Sequence, residues 1–337
     1  MPLNQLEQER RERATARLNG GKQEGVRVGK VTVLASPDRQ RLHHFTQRLL
    51  AHAYQVQETP HFVVCHQPSE QKTILMHTFS QATIDADLIC IIEQELPALG
   101  MLASAQDYNA VLFAVMASTF PSPRNQQLIW RHFCLTTLAR LRVLIAQHPL
   151  PSPPPVSHIV PFAAIYQRVM ERLVGQSLLD VGSSFGFLPV LLAEHMANVT
   201  LVGCDNNPDA ISCSTDLAAV THADQVTFLL SDVLAPDFPT VGHFDTVTAI
   251  HLLEHLTEEE VPVALTHLLQ VTSKRLLIAV PYEEKVQPLY GHQQAFTREK
   301  LLFWGNWCVE TLGGGRYWCE EVMGGLLVVD RSSAEQE

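Results

Sequence analysis

Six short apolar runs between Ser177 and Val329 constrain the fold more than anything else in this chain. They are Ser177-Leu-Leu-Asp-Val181, Val199 to Gly203, Val226 to Leu230, Phe244 to Ile250, Arg275 to Val280 and Leu326 to Val329, with helical periodicity between the first five. Runs of this length suit strands buried on both faces, and their alternation with helices predicts parallel strands joined by right-handed crossovers. The fold class is therefore α/β, doubly wound. An amphipathic helix over Ile159 to Val174 leads into the first run. The turn Gly182-Ser-Ser-Phe-Gly186 follows it and opens an apolar helix from Leu188 to His195. In such a sheet the ligand crevice lies beyond the carboxyl ends of the strands, so the polar residues there form the candidate site.

A glycine-containing turn after the first strand is shared by several nucleotide-binding families, and the acids that follow discriminate among them. Asp205 ends the second run in Val202-Gly-Cys-Asp205-Asn206, where a carboxylate can accept both hydroxyls of a ribose. It could equally cap the helix begun at Pro208. Asp232, in Leu230-Ser-Asp232-Val233, follows the third run and is placed to accept an exocyclic amine. The fourth run ends in Ile250-His251-Leu-Leu-Glu254-His255, and the fifth in Val280-Pro-Tyr-Glu283.

Taken in order over about residues 160 to 330, these motifs resemble the class I S-adenosylmethionine-dependent methyltransferases. The resemblance implies a Rossmann-like methyltransferase sheet with S-adenosyl-L-methionine as cofactor. It implies Asp180 and Gly182 beside the methionine part, with Ser184 and Gly186 completing the turn. Asp205 and Asn206 would lie at the ribose, Asp232 and Val233 at the adenine, and His251 below the sulfonium. Ser184 departs from the family, which usually has glycine there to let the backbone approach the cofactor closely. Either the backbone stands further off, or the hydroxyl replaces a water at the cofactor carboxylate.

Methyl transfer is an in-line displacement on an already electrophilic carbon, so the protein aligns the acceptor and, for a hydroxyl, removes a proton. The crevice mouth offers His292, His251 and His255 as bases, with Glu254 and Glu283 to orient them. That supply favours O-methylation of a small-molecule or saccharide hydroxyl. The segment His251-Leu-Leu-Glu-His255 also matches an inverted zinc-protease signature, but here it begins at the end of a buried strand rather than on a helix. Small-RNA 2′-O-methyltransferases and ubiquinone-pathway O-methyltransferases carry a similar Glu-His and use it to hold a divalent ion against a vicinal diol. This chain shares Glu254-His255 but has His251 where the RNA enzymes have glutamate, and the reading without a metal is preferred. Phe185-Gly-Phe-Leu-Pro189, Pro281-Tyr-Glu-Glu284 and Tyr290-Gly-His292 look like the glycan O-methyltransferases of mycofactocin pathways. Trp304, Trp307, Tyr317 and Trp318 are expected mostly in core packing. The competing reading is a non-catalytic scaffold on a methyltransferase fold, with the function carried by the first half.

That first half is set off by His148-Pro-Leu-Pro-Ser-Pro-Pro-Pro-Val-Ser157, whose five prolines predict an extended linker over 148–157. Residues 1–25 read as a polar tail, frayed or an exposed helix. Residues 26–147 read as an α+β or α/β accessory domain, and 158–332 as the methyltransferase domain. In the accessory part, strands are expected at Val31 to Leu34, His61 to Cys65, Lys72 to His77 and Asp87 to Ile92. Helices are expected at Arg39 to Ala53, with Leu42, Phe45, Leu49 and Leu50 on one face, at Asn109 to Met116 and at Gln126 to Ala146. Its histidines, including His43, His44 and His66, show no metal-ligand spacing.

Charge divides along the same seam. Residues 1–157 carry 15 Lys and Arg against 12 Asp and Glu, and residues 158–337 carry 9 against 23, so the second half repels a polyphosphate and disfavours a nucleic-acid partner. The 7 cysteines include no CxxC pair, which argues for reduced thiols. The absence of a long apolar run points to a cytoplasmic chain without a membrane partner. Oligomeric state is open.

Overall fold

The computed structural model describes residues 15–18, 21–36, 38–50, 54–69, 71–102, 105–121, 125–147 and 157–332. Residues 148–156, nearly all of the expected linker, and most of the expected tail lie outside the described residues. The chain divides into two compact units, one of residues up to Thr137 with His158 and its immediate predecessors, the other of the rest. The division at Thr137 falls inside a helix, Gln126–Ile145.

The first unit contains a five-stranded mixed sheet. Its strands are β3 (Val26–Val28), β4 (Val31–Ala35), β5 (Gln55–Glu58), β6 (Phe62–Gln67) and β7 (Lys72–His77), in the order β3-β4-β7-β6-β5. Only the β4–β7 pair among these is parallel. Helix α1 (Arg39–Leu50) buries Leu42 against Leu34, Val63, Cys65 and Met76, with Phe45 and Leu49 alongside. Leu50, expected on the same face, is exposed. Two expectations are corrected. Within the residues expected to be frayed or helical, Thr15–Leu18 (β1) and Gly21–Glu24 (β2) form an antiparallel pair. Asp87 to Ile92, expected as a strand, belongs to helix α2 (Asp87–Glu95). A short apolar run satisfies both periods, and here Leu88, Ile92 and Leu96 are buried at helical spacing while Asp85 Oδ1 accepts the backbone N–H of Asp87 at 2.9 Å. Helices α3 (Ala105–Ser118) and α4 (Gln126–Ile145) fall where expected.

The second unit is built on a seven-stranded sheet. After α5 (Ile159–Arg172) come β8 (Ser177–Val181), α6 (Phe187–His195), β9 (Thr200–Asp205), α7 (Pro208–Thr221), β10 (Val226–Leu230) and β11 (Phe244–Ile250). Then follow α8 (Val261–Val271), β12 (Thr272–Val280), α9 (Arg298–Leu312), β13 (Arg316–Glu321) and β14 (Gly325–Asp330). The order is β10-β9-β8-β11-β12-β14-β13, and the first five are mutually parallel. The chain starts in the middle, winds outward through β9 and β10, then returns to the other side of β8. That reversal between β8 and β11 is the topological switch point at which open α/β sheets bind ligands. The last run pairs antiparallel to β12, and β13, which no expectation covered, pairs with it as a hairpin. With both faces covered, β8, β11, β12 and β14 are buried over most of their length. Trp304 is buried, and Trp307 and Tyr317 pack on the core as expected. Trp318 instead lies under the guanidinium groups of Arg275 and Arg316. Among the described residues, no helix is long and apolar enough to cross a membrane.

Candidate functional site

At the switch point the turn after β8 hooks over the end of β9. The backbone N–H groups of Gly182 and Ser183 both donate to Cys204 O, at 2.8 and 2.9 Å. Gly182 and Gly186 take φ of 73° and 74°, the left-handed region open to glycine. Ser184 takes φ 48°, strained for a residue with a Cβ, and its N–H donates to Asp205 Oδ2 at 2.9 Å. The other oxygen of that carboxylate, Oδ1, accepts from Asn207 N at 2.9 Å. Asn207, not Asp205, caps α7: its side chain accepts from Asp209 N. Asp205 is left half-buried at the strand end, each oxygen keeping a lone pair beyond its one backbone bond, and Asn206 beside it is exposed.

Asp180 lies in the middle of the sheet, paired in register with Gly203 on one side and Thr248 on the other. Thr248 Oγ1 donates to Asp180 Oδ1 at 2.6 Å. Burial pushes the Asp180 carboxyl up to about 7, the Thr248 bond opposes this, and the charge of Asp205 adds to it. Beyond β10, Asp232 Oδ1 accepts from Leu234 N at 2.9 Å, and the buried Val233 carbonyl lies 2.7 Å from His267 Nδ1 on α8. Thr248 and His267 escaped the sequence reading. A polar residue inside the apolar run of β11 was the available sign for Thr248; His267 offers none outside the fold.

On the other side of the switch point, His251 N donates to Ala279 O at 2.9 Å as the last rung between β11 and β12, and the chain leaves the strand with φ 52° at His251. The His251 ring lies 5.0 Å from that of Phe162 on α5, and its Nδ1 is 2.9 Å from Glu254 Oε1. Glu254 is fully buried in the single turn Leu253–His255, and neither of its oxygens receives an aligned hydrogen bond. Its backbone oxygen accepts from Gln293 N at 2.8 Å, while Gln294 Nε2 donates to Leu253 O and Leu256 O. Those bonds bring in the loop after β12. His292, nearly buried, holds Nδ1 3.0 Å from Glu283 Oε2, and its ring meets that of His255 edge-on at 4.9 Å. Burial lowers the His255 imidazole below its ordinary value, with Glu254 opposing and His292 reinforcing the shift.

The turn and the histidine segment touch: a Cβ on Gly182 would stand 3.1 Å from Leu252 Cδ1. The structure thus brings together His251, Glu254, His255, Glu283 and His292, and joins Ser184 to Asp205. Ligand-type atoms of Glu254, His255 and His292 lie within 4.8 Å of one another, a donor set of one carboxylate and two imidazoles that fits a divalent ion.

Residues 178–275 match the family described as "Methyltransferase domain". The ubiquinone biosynthesis O-methyltransferase of Pseudomonas aeruginosa (strain UCBPP-PA14) is 28% identical over 117 residues, 34% of this chain and 48% of that protein. The protein of the same description from Azotobacter vinelandii is 29% identical over 113 residues, 34% of this chain and 46% of its own. The chain spans about half the length of these curated relatives. Among solved structures, the methyltransferase domain of bacterial CtHen1 matches with TM-score 0.42 and 18% identity, covering 50% of this chain and 99% of that one. The magnesium protoporphyrin IX methyltransferase of Synechocystis PCC 6803 with bound SAH matches with TM-score 0.40 and 19% identity, covering 61% and 99%.

Proposed function

We propose that residues 178–275, which match the family described as "Methyltransferase domain", form a class I S-adenosylmethionine-dependent methyltransferase domain, and that this chain methylates a hydroxyl of a small molecule or saccharide. The observation that carries the reading is the contact of the Gly182 turn with Leu252, which sets a histidine and carboxylate cluster against the cofactor turn. Bound S-adenosylmethionine supplies a sulfonium whose methyl carbon is open to displacement. Its proposed holders fit it. Gly182, Ser184 and Gly186 form the left-handed turn at the methionine part, above the buried Asp180. Asp205, beside Asn206, offers its remaining lone pairs to the ribose hydroxyls, and Asp232 with Val233 borders the adenine.

His292 takes the acceptor proton at Nε2, because Nδ1 faces Glu283. Glu283 thereby selects the tautomer and steadies the charge that forms. His251, backed by Phe162 and Glu254, would border the sulfonium region and exclude water from it. Isothermal titration tests the cofactor site: wild type binds S-adenosylmethionine or S-adenosylhomocysteine, and Asp205→Ala binds much more weakly. Equal binding by both proteins defeats the ribose assignment. No cofactor recovered by mass spectrometry of denatured protein, together with no binding, turns the reading to a scaffold.

A second reading has its own support. Glu254 keeps two buried oxygens without aligned donors beside His255 and His292, as a metal carboxylate would before loading. A divalent cation held by these three would supply Lewis acidity toward a vicinal diol, and Glu283 would again orient His292, as carboxylates do for metal-bound imidazoles.

A further inference from the structure

A different set of ligand-type side chains lies in the first unit. Asp87, Cys90 and Glu93 recur at intervals of three along α2 and so share one face. Asp87 Oδ1 accepts from Ser157 Oγ and from the backbone N–H of His158, each at 2.9 Å, which holds the chain just ahead of α5 against that face. The His158 Nε2 atom then lies 3.9 Å from Glu93 Oε2, too far for a hydrogen bond. Cys90 Sγ joins them, and the three ligand-type atoms fall within 4.8 Å of one another. The Glu93 side chain is only 4% exposed and its Oε2 accepts no hydrogen bond. A buried carboxylate oxygen left without a donor is unfavourable unless a positive charge faces it.

We infer that Cys90, Glu93 and His158 bind a divalent cation of the zinc type, with a fourth position left to water. A tetrahedral ion with metal–sulfur and metal–nitrogen or metal–oxygen bonds of ordinary length separates its ligands by about 3.3–3.6 Å. The mixed sulfur, nitrogen and oxygen set excludes magnesium and calcium, which take oxygen ligands. Binding releases the Cys90 thiol proton to solvent, leaving the thiolate on the metal. Asp87 acts behind the site by holding His158 in place. No CxxC or paired-histidine spacing marks the cluster, because its third ligand comes from a segment 65 residues further along the chain than Glu93.

The full-length protein, stripped with a chelator and titrated with cobalt(II), tests this. A thiolate-to-cobalt charge-transfer band in the near ultraviolet is expected, displaced by zinc. Cys90→Ser abolishes the band, and His158→Ala, which alters a partly exposed side chain, weakens cobalt binding at least tenfold. The double variant Glu254→Ala/His255→Ala retains the band, since the crevice cluster contains no sulfur. If Cys90→Ser fails to fold by circular dichroism, the His158→Ala titration decides. Absence of the band in wild type, its survival in folded Cys90→Ser, or unchanged affinity in His158→Ala overturns the inference.

Discussion

Glu283 and His292 lie nine residues apart in the loop that leaves β12, and the loop closes on itself so that Oε2 of the acid lies 3.0 Å from Nδ1 of the ring. Both side chains are nearly buried, so the pair keeps one geometry. With Nδ1 so engaged, His292→Ala should lower turnover by roughly 100-fold while cofactor affinity stays nearly constant. Glu283→Gln should fall between wild type and that variant. Steady-state kinetics beside calorimetry makes the check, and full turnover in His292→Ala removes the proposed base.

Loss of the Asp205 carboxylate should weaken S-adenosylhomocysteine binding by roughly 10- to 100-fold, the loss of one charge-assisted hydrogen bond of about 1.5–3 kcal/mol. The Ser184 and Asn207 amides lose their acceptor in the same variant. Asp205→Asn, which keeps one acceptor oxygen, should retain more affinity than Asp205→Ala. The reverse ranking counts against the carboxylate as ribose acceptor.

Asp180 should make the cofactor-free protein less stable as pH rises. Its carboxyl is raised from 3.8 to about 7 by burial, so the folded state holds a proton that the unfolded chain gives up. The associated stability is fully present below about pH 4, is lost progressively as pH climbs to about 7, and then levels off, a span worth a few kcal/mol. Thermal melts across that window should show the slope in wild type and a flatter profile in Asp180→Asn, whose amide does not ionise. Parallel profiles refute the prediction.

Gly186→Ala should be strongly destabilising. The residue sits at φ 74°, and a Cβ there would run into the ring of Phe228 and the Cβ of Ser214. Backbone strain of about 1–3 kcal/mol adds to the clash. A melting temperature within a degree or two of wild type would mean that β10 moves freely, which its parallel register with β9 argues against.

Chelation separates the two readings of the crevice. If His292 acts as a base without a metal, activity survives exhaustive chelation; if Glu254, His255 and His292 hold an ion, it disappears and returns with added divalent metal. Glu254→Ala sharpens the result, because under the metal reading it abolishes the rescue.

The sheet is legible in the sequence because parallel strands buried on both faces must be apolar runs, and β8 and β11 begin and end where those runs do; the partly exposed edge strand β10 also matches its run. Asp205, Asp232 and His251 could be placed at strand ends for the same reason: a chain leaving a buried strand turns polar at the crevice. Tertiary structure decided what the period could not carry. Asp87 to Ile92 fits either period, and its packing made it helix. Strand β13 has a mixed sequence that takes its shape from pairing with β14. That the Ser184 amide donates to the Asp205 carboxylate, 21 residues further along the chain, is likewise a matter of tertiary structure. The approach of His292 to Glu283 and His255, and of His158 to Cys90 and Glu93, depends on loops and helix faces joining residues distant in the chain. Local propensity and periodicity act over a few residues, whereas such contacts arise only when burial of the surrounding surface holds the segments together.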